Sequence, residues 1–283
     1  MRYLGLTGRQ GSWPWHFLTI CGAMLAVGCV SPGERAINSG FLRSVYQTPA
    51  FDLVAWHRGL GTTTGTLHVY IEGDGQAFRR GQVTRDPTPR RALGLELARR
   101  DRHRAVLYLS RPCQYLEPSA LAACHPRYWS SHRFAPEVVT SMGDALDQAL
   151  AAWRTPPRLL LVGYSGGGNI ATLLAEERTD VIGLVTVAAN LALNAWTTHH
   201  KVPRLVGSLD PAQVIGSGFG ALKQRHLAGS EDTIVPPAII RRFLKETNLP
   251  PDLLEIVPGY SHNCCWIDLW PKPLCGLTPE VLC

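Results

Sequence analysis

Three residues in this sequence have the types and order that nucleophilic acyl chemistry requires. Gly163-Tyr164-Ser165-Gly166-Gly167 is a Gly-x-Ser-x-Gly turn. It follows the apolar run 158–162 and precedes a helical pattern, the strand–turn–helix setting this motif needs. Glycine at 163 and 167 removes side chains that so tight a turn would crush, and the turn lifts the serine hydroxyl above the sheet edge. The helix behind it points N–H groups at developing negative charge. A serine hydroxyl becomes a useful nucleophile only when a base takes its proton and an acid orients that base. Two later loops supply candidates, each past the end of a strand-like run. Asp232 lies in Gly229-Ser230-Glu231-Asp232, and His262 in Gly259-Tyr260-Ser261-His262. The chain order is Ser, Asp, His.

Glu231, next door to Asp232, is the alternative acid. Asp210 is a poorer candidate because no strand leads into it. Of ten histidines only His262 combines strand-end context with the right order. His68 is expected to alternate outward on its strand, and His199-His200 to be a solvated pair.

These residues need a scaffold that brings distant loops to one edge. Strand patterns fall at 51–56, 66–71, 105–109, 158–162, 181–187, 226–228 and 253–257, and helical spacing at 89–100, 136–153, 170–177 and 236–245. Continuous apolar strands alternating with helices predict an α/β fold: a mostly parallel central sheet with helices on both faces. The Gly-rich, weakly periodic stretch 191–224 is expected to form a small cap between the sixth and seventh strands. In this architecture ligands bind beyond the carboxyl ends of the strands.

With these three motifs in order, residues from about 50 onward resemble the α/β-hydrolase superfamily. The resemblance implies Ser165 as nucleophile, His262 as general base and then acid, and Asp232 as the group orienting His262. It implies hydrolysis of a carboxylic ester through an acyl-enzyme, with a small ester or acyl substrate and no metal or organic cofactor. Acyltransferase, thioesterase and peptidase chemistry use the same triad, and a non-catalytic envelope lipoprotein on this scaffold is the reading from another class. An oxyanion hole is also implied, with one donor the N–H of Gly166. The second donor is expected in the loop Glu72-Gly73-Asp74-Gly75, where the superfamily usually has His-Gly. The Asp74 N–H is the candidate, with Gly73 letting the backbone approach. The Asp74 carboxylate is expected to discourage anionic acyl groups. Gln114 and Tyr115, after the strand at 105–109, either line a substrate pocket or pack under a disulfide.

Composition sets the remaining bounds. With 45% hydrophobic and 18% charged residues, the chain is neither disordered, collagen-like nor coiled coil. A net charge of +6 without a long basic run gives no nucleic-acid groove. Residues 1–28 read as a signal peptide: Arg2 and Arg9 precede an apolar run at 17–28. Leu25-Ala26-Val27-Gly28-Cys29 resembles the lipobox of bacterial lipoproteins, which implies lipidation of Cys29 and a membrane anchor; Ala26-x-Gly28 also fits an ordinary signal-peptidase site. Both place the body outside the cytoplasm, the first as a lipid-anchored envelope protein facing the periplasm. Residues 29–47 are expected to be a tether and 48–283 the folded domain. Once Cys21 and Cys29 are set aside, Cys113, Cys124, Cys264, Cys265, Cys275 and Cys283 remain as disulfide candidates, since an exported protein favours bridges. Cys113–Cys124 is the favoured local pair. Cys264 and Cys265 are expected to reach Cys275 and Cys283 and so hold the His262 loop.

Overall fold

The computed structural model describes residues 30–62 and 65–278. Cys29, the signal segment and Cys283 lie outside the described residues. An eight-stranded sheet runs through the body: β1 (Leu42–Gln47), β2 (Asp52–Arg58), β3 (Thr66–Ile71), β4 (Val106–Leu109), β5 (Arg158–Tyr164), β6 (Val181–Val187), β7 (Lys223–Gly229) and β8 (Leu254–Val257). The spatial order is β1-β2-β4-β3-β5-β6-β7-β8. β2 is antiparallel to both neighbours, and every pairing from β4 to β8 is parallel. This is the α/β architecture expected from the sequence.

The two-residue period of the strands sorts apolar side chains onto two cores. Leu67, Val69 and Ile71 of β3 and Leu159 and Leu161 of β5 face one side. There they meet Val139, Met142 and Leu146 of a long helix and Ile170 and Leu174 of the helix behind Ser165. Tyr70, Leu160 and Val162 point to the other side, against Leu95 and Leu97 of a third helix and against Trp266 and Trp270 near the C-terminal end. The helices, in chain order, are α1 (Pro32–Ile37), α2 (Leu93–Arg100), α3 (Pro118–Ala122), α4 (Pro136–Leu150), α5 (Gly166–Glu177), α6 (Leu193–His200), α7 (Pro211–Val214), α8 (Pro237–Glu246) and α9 (Trp266–Leu269). α6 and α7 lie between β6 and β7, where a small cap was expected.

The tether expectation is corrected over residues 32–47. Ser31 and Glu34 form a reciprocal capping box that starts α1. Phe41 and Ala36 are buried in the second core. β1 then pairs along its whole length with β2. Its side chains are mostly exposed, so its place is fixed by backbone hydrogen bonds that leave no apolar signature.

His68 does not point to solvent. Its ring is fully buried, and Nδ1 lies 2.7 Å from Asp101 Oδ2, which also accepts from the Tyr70 hydroxyl. Trp270 Nε1 donates to that hydroxyl at 3.0 Å, so the network ties α2's end to the C-terminal segment.

A second buried histidine makes stability depend on pH. His226 on β7 lies edge-on to Phe243 of α8, with Nε2 3.0 Å from Gln224 Oε1 and Nδ1 2.8 Å from Thr186 Oγ1. The amide oxygen can only accept, so Nε2 carries the proton and Nδ1 accepts from the threonine. Burial pushes the imidazole pKa down from 6.5 to about 3. Between those values the unfolded chain binds a proton that the folded chain refuses, so stability is full above 6.5 and declines as pH falls toward 3. Urea unfolding midpoints across this range should fall steadily, and His226→Gln should flatten that slope.

Candidate active site

β5 ends at Tyr164 and α5 begins at Gly166, leaving Ser165 alone in the turn with φ 52° and ψ −121°. That positive φ is a strained conformation for a residue with a side chain. Surrounding backbone over-determines it: Ser165 N donates to Val187 O at 2.8 Å, and Gly168 N donates to Ser165 O at 3.0 Å. A Cβ on Gly163 would lie 2.4 Å from Gly167 O, and one on Gly167 would lie 2.2 Å from Ile71 O. Only hydrogen fits at either position.

The structure brings the three sequence-selected residues into one hydrogen-bonded chain. His262 Nε2 lies 3.0 Å from Ser165 Oγ, and His262 Nδ1 lies 2.8 Å from Asp232 Oδ2. Asp232 is buried, and its Oδ1 accepts from the N–H groups of Ile234 and Val235, both at 2.8 Å. A carboxylate held by those donors accepts from Nδ1–H, which leaves Nε2 free to accept the serine proton. Glu231 is exposed and outside this chain. Asp210 caps α7 and accepts from Leu193 N and Asn194 N, a structural task.

The loop carrying His262 is held in a way the cysteine pattern did not foretell. Cys264 bonds Cys265, its immediate neighbour, so the expected bridges from this pair to Cys275 and Cys283 are corrected. Adjacent cysteines cross-link nothing beyond their own backbone. Cys275 is disulfide-bonded as well. Cys113–Cys124 forms as expected. What steadies His262 is its own carbonyl, which accepts from Trp266 Nε1 at 3.0 Å and from the Tyr164 hydroxyl at 3.3 Å. Trp266 is buried, and its indole N–H does the positioning.

The loop after β3 lies against the serine turn. A Cβ on Gly73 would be 3.3 Å from Ser165 Cβ, and one on Gly166 would be 2.0 Å from Asp74 Oδ1. The Gly73 N–H is already committed to Glu72 Oε1 at 2.9 Å, so among the oxyanion candidates Gly73 serves close approach and is not a donor. The N–H groups of Gly166 and Asp74 have no protein acceptor among the described residues. Glu72, where the superfamily usually has histidine, is buried; burial raises its pKa, opposed by donors from Gly73 N, Tyr108 OH, Gly94 N and Leu95 N. The carboxyl therefore caps α2 and anchors the loop.

Gln114 does not line the site. Its Nε2 donates to Gly73 O at 3.1 Å and so positions the loop from behind. Tyr115 packs edge-on against Trp56, on another part of the surface. His200 is no solvated loop residue either: its Nε2 and Trp196 Nε1 lie 2.8 Å and 2.7 Å from Ile234 O, tying α6 to the Asp232 loop.

Asp74 is also not the bare acid that the sequence suggested. Arg111 Nη1 lies 3.2 Å from its Oδ1 and Arg133 Nη1 2.7 Å from its Oδ2. The expectation that this carboxylate repels anionic acyl groups is corrected, because two guanidinium groups share it. Arg133 escaped notice in the sequence because it sits in an irregular loop with no periodicity or motif. Asp74 and Arg133 line a cleft of about 570 Å³ open to Ser165 and His262, with Phe78, Trp196, Asn190 and Asn263 among its walls. A methyl at residue 163 tests the turn most directly. Gly163→Ala should lower the melting temperature and abolish reaction of Ser165 with a fluorophosphonate, read by circular dichroism and by mass spectrometry.

No protein-family model matches the chain, and no curated protein matches it in sequence. Solved structures do match in fold. An esterase from Pyrococcus furiosus, Pf2001, superposes with a TM-score of 0.55 at 12% identity, over 87% of this chain and 91% of that one. Est1E from Butyrivibrio proteoclasticus gives 0.53 at 14% identity, over 82% and 95%. An alpha-beta serine hydrolase homologue from Coxiella burnetii gives 0.50 at 14% identity, over 78% and 88%. With its strand order, its helices on both sheet faces and its serine in the turn between β5 and α5, the chain has the α/β-hydrolase fold.

Proposed function

We propose that the protein is a serine hydrolase that cleaves carboxylic esters through an acyl-enzyme. The observation carrying this reading is the unbroken hydrogen-bonded chain Ser165–His262–Asp232 at the open end of the parallel strands. Ser165 Oγ attacks the ester carbonyl carbon as His262 Nε2 takes its proton. The carbonyl oxygen becomes an oxyanion facing the N–H groups of Gly166 and Asp74, at the positive end of α5. When the tetrahedral intermediate collapses, the C–O bond to the alcohol breaks and Nε2–H protonates the departing oxygen. Water then enters, gives a proton to Nε2 and attacks the acyl carbon. Ser165 leaves with that proton, and the acid is released. Throughout, Asp232 stays ionised, holds the ring and stabilises the imidazolium.

The ion pairs on Asp74 fit this sequence of events. An unscreened carboxylate against Gly166 would oppose an oxyanion formed nearby; two guanidinium groups cancel that repulsion. The Cys113–Cys124 and Cys264–Cys265 bonds accord with an oxidising compartment, so we also propose export with a lipid on Cys29, which metabolic labelling with a fatty acid would detect.

A fluorophosphonate should label the wild-type chain at Ser165 and leave Ser165→Ala unlabelled. Equal labelling of the two refutes the nucleophile. On a panel of nitrophenyl esters, thioesters and anilides, esters should turn over fastest. Asp232→Asn should lower kcat by about 10⁴-fold with little change in melting temperature, the size expected when the base is held in the wrong tautomer.

A further inference from the structure

Charge around the cleft is lopsided. Asp74 is one carboxylate serving two guanidinium groups, and both are largely removed from solvent, with side-chain exposures of 5% for Arg111 and 9% for Arg133. Arg111 also donates through Nη2 to Arg133 O, which fixes it as a strut behind the site. Arg133 instead lies on the cleft wall. Its Nε donates to Ser130 O at 2.8 Å and its Nη1 to Asp74, while Nη2 has no acceptor among the described residues. The guanidinium carbon is 5.7 Å from the centroid of Phe78 and 5.9 Å from that of Trp196.

One further carboxylate stands nearby, since Glu72 also lines the cleft and its charge acts on Arg111 behind the site. Glu72 spends its oxygens on four donors of its own. The segment 78–91, inserted between β3 and α2, carries Arg79, Arg80, Arg85, Arg90 and Arg91 against the single acid Asp86. Arg90 and Arg91 line the mouth of the cleft, and neither has an ion pair among the described residues. A guanidinium edge with a free N–H recognises a planar anion.

We propose that the ester substrate carries a second, unreacting carboxylate, and that Arg133 is the residue that selects it. The proposal rests on Ser165 being the nucleophile of an ester hydrolase. One guanidinium on the cleft wall with a single unused Nη2 matches a monoanion better than a phosphate dianion. Arg90 and Arg91, at the solvent edge, draw the anion in and lose that effect as salt screens them. Arg133 holds it between Phe78 and Trp196, and burial of the guanidinium strengthens the ion pair.

Mono-4-nitrophenyl glutarate, with its free carboxylate, and 4-nitrophenyl methyl glutarate, with that group capped, test this directly in the full-length chain. The wild type should favour the free acid by tenfold or more in kcat/KM at low ionic strength, and added salt should shrink that preference. Arg133→Gln should bring the ratio close to one, Arg133→Lys should restore part of it, and the double variant R90Q/R91Q should remove the salt dependence. The ratio separates recognition from support of the Asp74 loop, because a displaced loop slows both esters alike. Wild-type preference for the capped ester, no preference, or an unchanged ratio in Arg133→Gln overturns the proposal and leaves the ester-hydrolase reading standing. Fluorophosphonate labelling of Ser165 without turnover of either ester overturns it as well. Failure of both labelling and turnover sinks the nucleophile reading together with it.

Discussion

Everything at the open edge of this sheet is arranged around one strained residue. Ser165 sits at positive φ between a buried strand and a buried helix, and the turn closes only because residues 163 and 167 lack side chains. Strain of this kind costs on the order of 1–3 kcal/mol and persists only where neighbours leave no alternative. The neighbours here are the β3 end, the β6 end and the first turn of α5, all packed within van der Waals reach of the turn. The two sheet cores supply the rigidity, and the turn uses it to present one hydroxyl.

A second constraint follows from that close approach. Packing the loop after β3 against Gly166 puts the Asp74 side chain beside the Ser165 turn, where a free carboxylate would oppose any negative charge formed there. The fold answers with two arginines from the connection between β4 and α4, one just after the strand and one just before the helix. Electrostatics thereby links three loops into a single wall: Asp74 between Arg111 and Arg133, Gln114 behind Gly73, and Glu72 capping α2 from beneath. Breaking any one of these contacts leaves a buried charge or polar group unpaired, which is why they act as a set.

What could be read from the sequence divides along physical lines. Strands at 66–71 and 181–187 were legible to the residue, because strands buried on both faces are continuous apolar runs. The Ser165 turn was legible because its sterics demand glycine at fixed offsets, and Asp232 and His262 because each follows a strand end. β1 was not, since an edge strand held by backbone hydrogen bonds needs no apolar side chains. The ion pairs of Asp74, the burial of His68 on Asp101 and the indole donor to the His262 carbonyl were also hidden. Each joins residues whose loops meet only after the sheet has formed, and no local spacing encodes such a meeting.

The two described disulfides differ in what they do to the chain when it is unfolded. Cys113–Cys124 spans 11 residues and closes a loop, so it removes conformations from the denatured ensemble, an effect of about 3 kcal/mol for loops near this size. Cys264–Cys265 spans one residue and encloses no loop. Its contribution to global stability by that route is negligible, and its influence is confined to the few peptide units beside it. One bridge therefore belongs to the thermodynamics of the whole domain. The other belongs to the shape of a single stretch of backbone, two residues downstream of the imidazole.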